Sequence, residues 1–296
     1  MRRQLGADLL GISAEQGIWS DAVRRIQKSM RLDVVSALNA VLSGGQYSAY
    51  ISLSEKVAIP LAMFTQGKAK RPPHIVVAHK LSSGGKRHLF QRLHLHQEFD
   101  HMITVSRAQA DYAVDVLGMR PEQVDWVRDK VDHRFFRPEL GRNGDFILAV
   151  GQEQRDYETL IGAVRGAGIR LVIVASSPWS TGKRAIARAE NVTWLQNISY
   201  CQLRDLYAEA RMVVVPLCNA DYAAGANALL EAMAMAKAMV VTQTTGIDGY
   251  LEDGVTGLYT PPSDVLALRG ASLRSGRIPS NATGLVRMRA NWSTMS

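Results

Sequence analysis

Asn227 and Glu231 stand four residues apart in the segment PLCNADYAAGANALLEAMAMAKAMVVT (216–242), so on a helix they share one face. A carboxylate so placed can accept hydrogen bonds from the paired hydroxyls of a ribose. Upstream, a strand ends at Pro216-Leu217, a loop of small residues follows, and the helix begins near Gly225 and Ala226. Small residues let a ligand approach the backbone, and the free amides of a helix start favour phosphate oxygens. The same pattern also fits an ordinary crossover helix with a solvated glutamate.

A second cluster lies in GQEQRDYETL (151–160), where a strand ends at Gly151 and a helix follows. Ligands of open α/β sheets bind at the carboxyl edge of the strands. Arg155, placed there, could reach a diphosphate and neutralise charge building on a leaving group. The alternative is a surface arginine at a helix start. His79, ending the run HIVVAH, could hydrogen-bond a substrate or be structural. His94 and His96 are two apart on an expected helix, pointing to different sides, so no shared metal site is expected from them.

The elements that must position these residues follow from hydrophobic periodicity. In the second half, strands are expected at 145–151, 169–177, 191–197, 211–217 and 238–246, with a small terminal strand within 253–262. Helices are expected at 157–168, 203–210 and 227–237. Strands alternating with helices at this spacing give a doubly wound parallel sheet. The first half has expected strands at 47–53, 74–79 and 101–106. Its expected helices are 56–66, the basic 85–99 and 107–118, and the opening forty or so residues read as helical without a clear first strand. Residues 127–138, closing on Arg137-Pro138 and followed by ELGRNG, read as a linker, which divides the chain into 1–142 and 143–296.

With 47% hydrophobic and 21% charged residues, the chain of 296 is globular and long enough for two cores. No apolar run approaches the roughly 20 residues of a membrane-spanning helix, and a cytoplasmic protein is expected. Cys201 and Cys218 lack metal-ligand or disulfide spacing and read as small apolar fillers. Residues 1–142 carry 21 Lys/Arg against 14 Asp/Glu, residues 143–268 carry 9 against 13, and the last 28 carry 5 against none. The basic front half, with helix 85–99, suits an anionic acceptor or peripheral contact with the anionic inner membrane face, or is merely solvated. Nucleic acid is not expected, because the basic residues are not interleaved with exposed aromatics in any recognisable nucleic-acid-binding module.

Taken in order, the segments VSRAQADYAVDVLG, VDHRFFRP, AVGQEQRDYETLIGAV, NVTWLQNISYCQLRDLYAEARMVVVPL, LLEAMA and YLEDGVTGLYTPPSD resemble the retaining glycosyltransferases of family 4. The resemblance runs from about residue 74 to 268. It implies a GT-B architecture, two Rossmann-like domains facing a central cleft, here with an incomplete N-terminal one. It implies a hexose moved from a nucleotide-diphosphate sugar, such as UDP- or GDP-hexose, to a glycan, lipid-linked or small-molecule acceptor. No metal or other cofactor is implied. By position, Glu231 matches the ribose-binding glutamate and Arg155 the residue contacting the diphosphate. Gly151, Gly225, Ala226 and Asn227 match the phosphate-binding backbone. Asn197 lies in the loop bordering the nucleobase, and His79 resembles a histidine near the transferred sugar.

The sequence departs from the family pattern in several places. Ala223 stands where a first glutamate is common, Gln152 where an arginine often follows the first-strand glycine, and Ala236-Lys237-Ala238 where Gly-Lys-Pro is usual. After LALRG the tail lacks acidic residues and helical periodicity. These departures motivate an alternative, an impaired or truncated relative that only binds nucleotide-sugar or acts as a scaffold.

Overall fold

The structure is a computed structural model that describes residues 6–8, 32–43, 46–68, 70–138, 144–175 and 189–275. Most of the expected opening helix and the tail beyond 275 lie outside the described residues. The chain divides into two compact units, Met1–Val127 and Arg128–Ser296.

In the first unit, helix α1 (Val34–Leu42) precedes strand β1 (Tyr50–Ser52), helix α2 (Glu55–Thr65) and β2 (His74–Ala78). Then follow α3 (Gly84–Leu93), β3 (His101–Thr104), α4 (Arg107–Asp115) and β4 (Val124–Trp126). The four strands form a parallel sheet in the order β1-β2-β3-β4. Asp33 and Ser54 cap α1 and α2 with their side-chain oxygens. Pro60 sits inside α2 and has no N–H for the carbonyl of Lys56. The N–H of Asp33 donates to that carbonyl at 2.8 Å, so the acceptor freed by proline ties α1 to α2. Ile59, Val76, Ala78, Phe90, Phe99 and Met102 form the core beneath.

Two expectations fail in this unit. The helix expected over 85–99 ends at Leu93, because His94 adopts a left-handed conformation (φ 49°) and a 3-10 turn follows from Leu95 to Glu98. That turn buries Leu95 completely, which a continued helix need not do. The imidazoles of His94 and His96, expected to diverge, therefore meet edge-on with centroids 6.1 Å apart. Among the described residues, no group of three His, Cys, Asp or Glu side chains could hold a metal ion. Strand β4 was not anticipated: its three residues are too few to show periodicity, and pairing with β3 defines them.

The second unit begins with residues 128–138, read from sequence as linker. They pack onto this unit: Arg128 Nε donates to the Gly249 carbonyl at 2.9 Å, and the N–H of Asp129 donates to the Tyr250 hydroxyl at 2.9 Å. Phe136 enters the core. The elements are β5 (Phe146–Val150), α5 (Tyr157–Val164), β6 (Arg170–Val174), β7 (Val192–Leu195), α6 (Tyr200–Glu209) and β8 (Met212–Val215). They continue with α7 (Ala226–Ala234), β9 (Met239–Thr242), β10 (Leu258–Thr260) and α8 (Val265–Ser275).

All six strands are parallel, in the order β10-β9-β8-β5-β6-β7. Central β5 is apolar at every position because both faces are covered. Phe146, Leu148 and Val150 face the core that includes α7, and Ile147 and Ala149 face the core that includes α5 and α8. Helix α6 starts earlier than periodicity predicts, at a Ser199/Gln202 capping box. Cys201, expected as a filler, is exposed on that helix.

Helix α8 extends past LALRG into the first five residues of the tail expected to lack periodicity, 271–275, and the rest of that tail lies outside the described residues. Leu268 and Ala271, three apart, are buried. Arg269 donates from Nε to the Ala163 carbonyl at 2.7 Å and from Nη2 to those of Gly162 and Arg165 at 3.0 and 2.8 Å. One arginine thus satisfies the carbonyls ending α5. No helix among the described residues is long and apolar enough to cross a membrane.

Candidate functional site

From β5 the chain runs outward through β6 to β7, then returns to place β8 on the other side of β5. Adjacent strands whose connections leave in opposite directions open a crevice at their carboxyl ends, where open α/β sheets bind ligands. The loops of that crevice, 151–156 and 216–225, contain three of the eight candidate site residues, Gly151, Arg155 and Gly225, and α7 carries Ala226, Asn227 and Glu231.

The two loops are bonded to each other. Arg155 and Leu217 form an isolated antiparallel bridge. The N–H of Cys218 donates to the Gln154 carbonyl at 3.0 Å, and the N–H of Asp156 to the Pro216 carbonyl at 3.1 Å. Tyr222 adds a side-chain contact, its hydroxyl donating to Glu153 Oε1 at 2.8 Å. Gly246 packs so tightly beneath Tyr222 that an added Cβ would overlap the Tyr222 backbone.

Gly151 has φ 105°, a value open to glycine and strained for other residues. Arg155 lies under it, only 6% exposed. Its Nε donates to the Val150 carbonyl at 2.9 Å and its Nη1 to the Glu153 carbonyl at 2.7 Å. The guanidinium is therefore part of the crevice floor, not a reaching surface arginine as the sequence suggests. Burial lowers its pKa from the usual arginine value, partly countered by Tyr157, Tyr207, Glu153 and Tyr222.

Across the crevice, α7 begins at Gly225 (φ 88°), with no side-chain cap. A Cβ there would approach Leu217 Cδ2 to 2.9 Å and Val215 Cγ1 to 3.0 Å. The helix start thus lies against the end of β8, with an uncapped N-terminus beside the loop. The N–H of Ala226 turns back to the Ala223 carbonyl at 3.2 Å, and Ala226 itself is buried. Asn227 is exposed.

One turn further, Glu231 is half-buried and accepts a hydrogen bond at Oε2 from the Tyr207 hydroxyl, 2.9 Å. Burial raises its pKa to about 7, against the opposing effects of the Tyr207 hydrogen bond and the Arg155 charge. This arrangement unites Arg155, Tyr207 and Glu231 in one electrostatic network at the β5–β8 switch point. Tyr207 was missed from sequence, where it reads as one of several apolar positions of α6.

Asn197, in the loop after β7, is exposed and left-handed (φ 55°), a conformation asparagine tolerates. Ala223 is half-buried against the core that includes Tyr207 and α7. His79 belongs to the first unit. Its N–H donates to Glu55 Oε1 at 2.9 Å, the N–H of Lys80 donates to the same oxygen, and its ring Nε2 lies 3.3 Å from the Leu53 carbonyl. Gln109 Oε1 accepts from the amides of Leu81, at 2.5 Å, and Ser82, at 3.3 Å. Buried Glu55 and Gln109 thus fix the loop carrying His79, and neither is marked by local sequence because their partners lie 24 to 28 residues away.

Residues 149–274 match the family model of glycosyl transferases group 1. The match covers both crevice loops and α7. No curated protein matches the chain in sequence. Among solved structures, HepE of Anabaena in complex with UDP-glucose is similar, with a TM-score of 0.67, 16% identity, and coverage of 86% of this chain and 78% of that one. Sucrose-phosphate synthase of Thermosynechococcus elongatus has a TM-score of 0.63, 15% identity, and coverage of 94% and 79%. A glycosyltransferase of Rickettsia africae has a TM-score of 0.60, 10% identity, and coverage of 83% and 71%. At these identities the likeness is one of fold: two α/β units with parallel sheets, GT-B-like.

Proposed function

With the group 1 glycosyl transferase match of its second unit as premise, we propose that this chain is a retaining hexosyltransferase. It takes a hexose from a nucleotide-diphosphate sugar and gives it to a glycan, lipid-linked or small-molecule acceptor. The observation that carries this reading is the convergence of Gly151, Arg155, Gly225 and Glu231 on the β5–β8 switch point, inside the matched segment.

On this reading Glu231 accepts hydrogen bonds from the ribose hydroxyls, and Asn197 borders the base. The diphosphate meets the N-terminus of α7 at Gly225, Ala226 and Asn227, close to the backbone at Gly151. The helix start and the buried positive charge of Arg155 stabilise the departing diphosphate without a metal ion or other cofactor. Arg155 acts through space, since its Nε and Nη1 already hold carbonyls. His79, presented by the loop that Glu55 fixes, hydrogen-bonds the substrate. UDP-hexose is the first donor to test, because the similar HepE structure contains UDP-glucose.

Calorimetric titration with UDP, GDP, ADP and their hexoses tests the donor site. Saturable binding of one nucleotide is expected, weakened by roughly 1–3 kcal/mol in Glu231→Ala. Turnover is then read as nucleoside diphosphate released on adding acceptors.

A second reading, a binding-only relative, is favoured by one observation. Ala223 stands where the resemblance expects a carboxylate, and it packs against apolar side chains. Nucleotide-sugar binding without release of nucleoside diphosphate for any acceptor, in a folded protein, would select it.

A further inference from the structure

We propose that Tyr207 is the positioning residue of Glu231: its buried hydroxyl, donating to Oε2, holds the carboxylate in one orientation for the nucleotide. The proposal rests on reading the second unit as a nucleotide-sugar site.

Glu231 has three side-chain torsions and lies on a helix face that is not fully covered. Without a partner its carboxyl would sample several rotamers. Tyr207 removes that freedom. Its ring is fully buried and packs edge-on against Phe136, centroids 5.9 Å apart. Its hydroxyl lies 2.9 Å from Glu231 Oε2 and 3.4 Å from the Ala228 carbonyl, one turn earlier on α7. The hydroxyl is thus centred on the face of α7 that carries Glu231. It takes one acceptor position of Oε2 and leaves Oε1 for donors from a ligand.

The groups around the pair fix the direction of the proton balance. Burial raises the tyrosine pKa well above its ordinary value, so the hydroxyl keeps its proton and donates. Burial disfavours the ionised carboxylate and dominates, while the hydrogen bond from Tyr207 and then the charge of Arg155 favour it. Tyr157 also acts on Tyr207 and raises its pKa further. Removing the hydroxyl takes away a stabiliser of the charged form and moves the carboxyl titration upward. Because Tyr207 is fully buried, it cannot contact the nucleotide, and its effect must pass through Glu231.

The experiment compares wild type, Tyr207→Phe, Glu231→Gln and the double variant. The Glu231 carboxyl is followed by carbon-13 NMR, and UDP, GDP and ADP are titrated calorimetrically between about pH 5.5 and about pH 9. In wild type, binding should strengthen as pH rises through the carboxyl titration. In Tyr207→Phe the carboxyl midpoint should rise, with affinity about tenfold weaker near neutrality and only partly recovered at the alkaline end, where the lost orientation still tells. In the Glu231→Gln background, Tyr207→Phe should have no further effect.

An unchanged carboxyl midpoint and affinity in Tyr207→Phe, with wild type binding normally, would overturn the proposal and leave the nucleotide site standing. A loss of equal size in the wild-type and Glu231→Gln backgrounds would also overturn it, as the mark of a packing role. Failure of folded wild type to bind any of the three nucleotides would remove the reading of the site and the proposal with it. Should Tyr207→Phe not fold, 3-fluorotyrosine at position 207, a stronger donor of nearly the same shape, should move the carboxyl midpoint downward. An unmoved midpoint would overturn the proposal.

Discussion

Arg155 supports Gly151 from beneath: a Cβ on the glycine would lie 2.9 Å from the guanidinium Cζ and closer still to Nη2. The guanidinium is held by the Val150 and Glu153 carbonyls, so the turn from β5 into the crevice is built around a buried cation.

Gly151→Ala should therefore be destabilising through two causes, the positive φ of 105° and displacement of the arginine. Strain of this kind costs about 1–3 kcal/mol before the buried charge is disturbed. Chemical denaturation should show a loss of at least about 2 kcal/mol in the second unit, with nucleotide affinity falling in parallel.

Ala236→Gly should do the opposite. Ala236 follows α7 with φ 56°, in the left-handed region. The Lys237 N–H then bonds back to the Ala232 carbonyl at 3.0 Å. Lys237 Nζ reaches the Ala208 and Ala210 carbonyls at 2.6 and 2.9 Å, which fixes the turn. Glycine removes the left-handed penalty of roughly 1–2 kcal/mol at some cost in unfolded-chain entropy. A net gain of about 0.5–1 kcal/mol in thermal or denaturant unfolding is expected.

Glu55 should be the most sensitive polar residue of the first unit. Its Oε1 accepts from the amides of His79 and Lys80 and lies 3.7 Å from Lys86 Nζ. Glu55→Ala removes the acceptor shared by two half-buried amides and the buried partner of Lys86, and should cost about 3 kcal/mol. Glu55→Gln keeps an acceptor oxygen and should recover part of that loss. Amide exchange at His79 and Lys80 should rise in the alanine variant ahead of the sheet amides.

Acid should weaken the first unit through His74. The ring is 1% exposed, lies 2.8 Å through Nε2 from Ser52 Oγ, and packs edge-on against Tyr50 and Phe99. Burial, with Arg71, lowers its pKa to about 4 despite Asp100. Between about 6.5 and about 4 the unfolded chain is protonated and the folded ring is neutral, so stability falls as pH falls. The loss should be on the order of 3 kcal/mol at most across that window, and His74→Gln should flatten it. Glu231 runs the other way. Its raised pKa makes the second unit lose stability as pH rises from about 4.5 through about 7.

The sheet of the second unit was legible because its central strands are buried on both faces. FILAV and MVVV read as strands without knowledge of their neighbours. The start of α7 was legible for a similar local reason, a small-residue loop running into a helical pattern. Elements defined by pairing or by a single buried contact were not. Strand β4 needs β3 beside it, and the break at His94 needs the pocket that receives Leu95. Residues 128–138 were read as linker because nothing local shows that Phe136 is destined for a core.

By itself the sequence determined the doubly wound second unit, the place of the small-residue loop before α7, and the shared helix face of Asn227 and Glu231, because these follow from periodicities within a few turns of chain. Tertiary structure decided what those residues meet. It folded Arg155 beneath Gly151, brought Tyr207 from α6 onto Glu231 24 positions away, and set Glu55 against the loop of His79. Hydrogen bonds between groups so distant in the chain leave no local pattern, and burial, which sets the charge of Glu231 near neutrality, exists only once the core has closed.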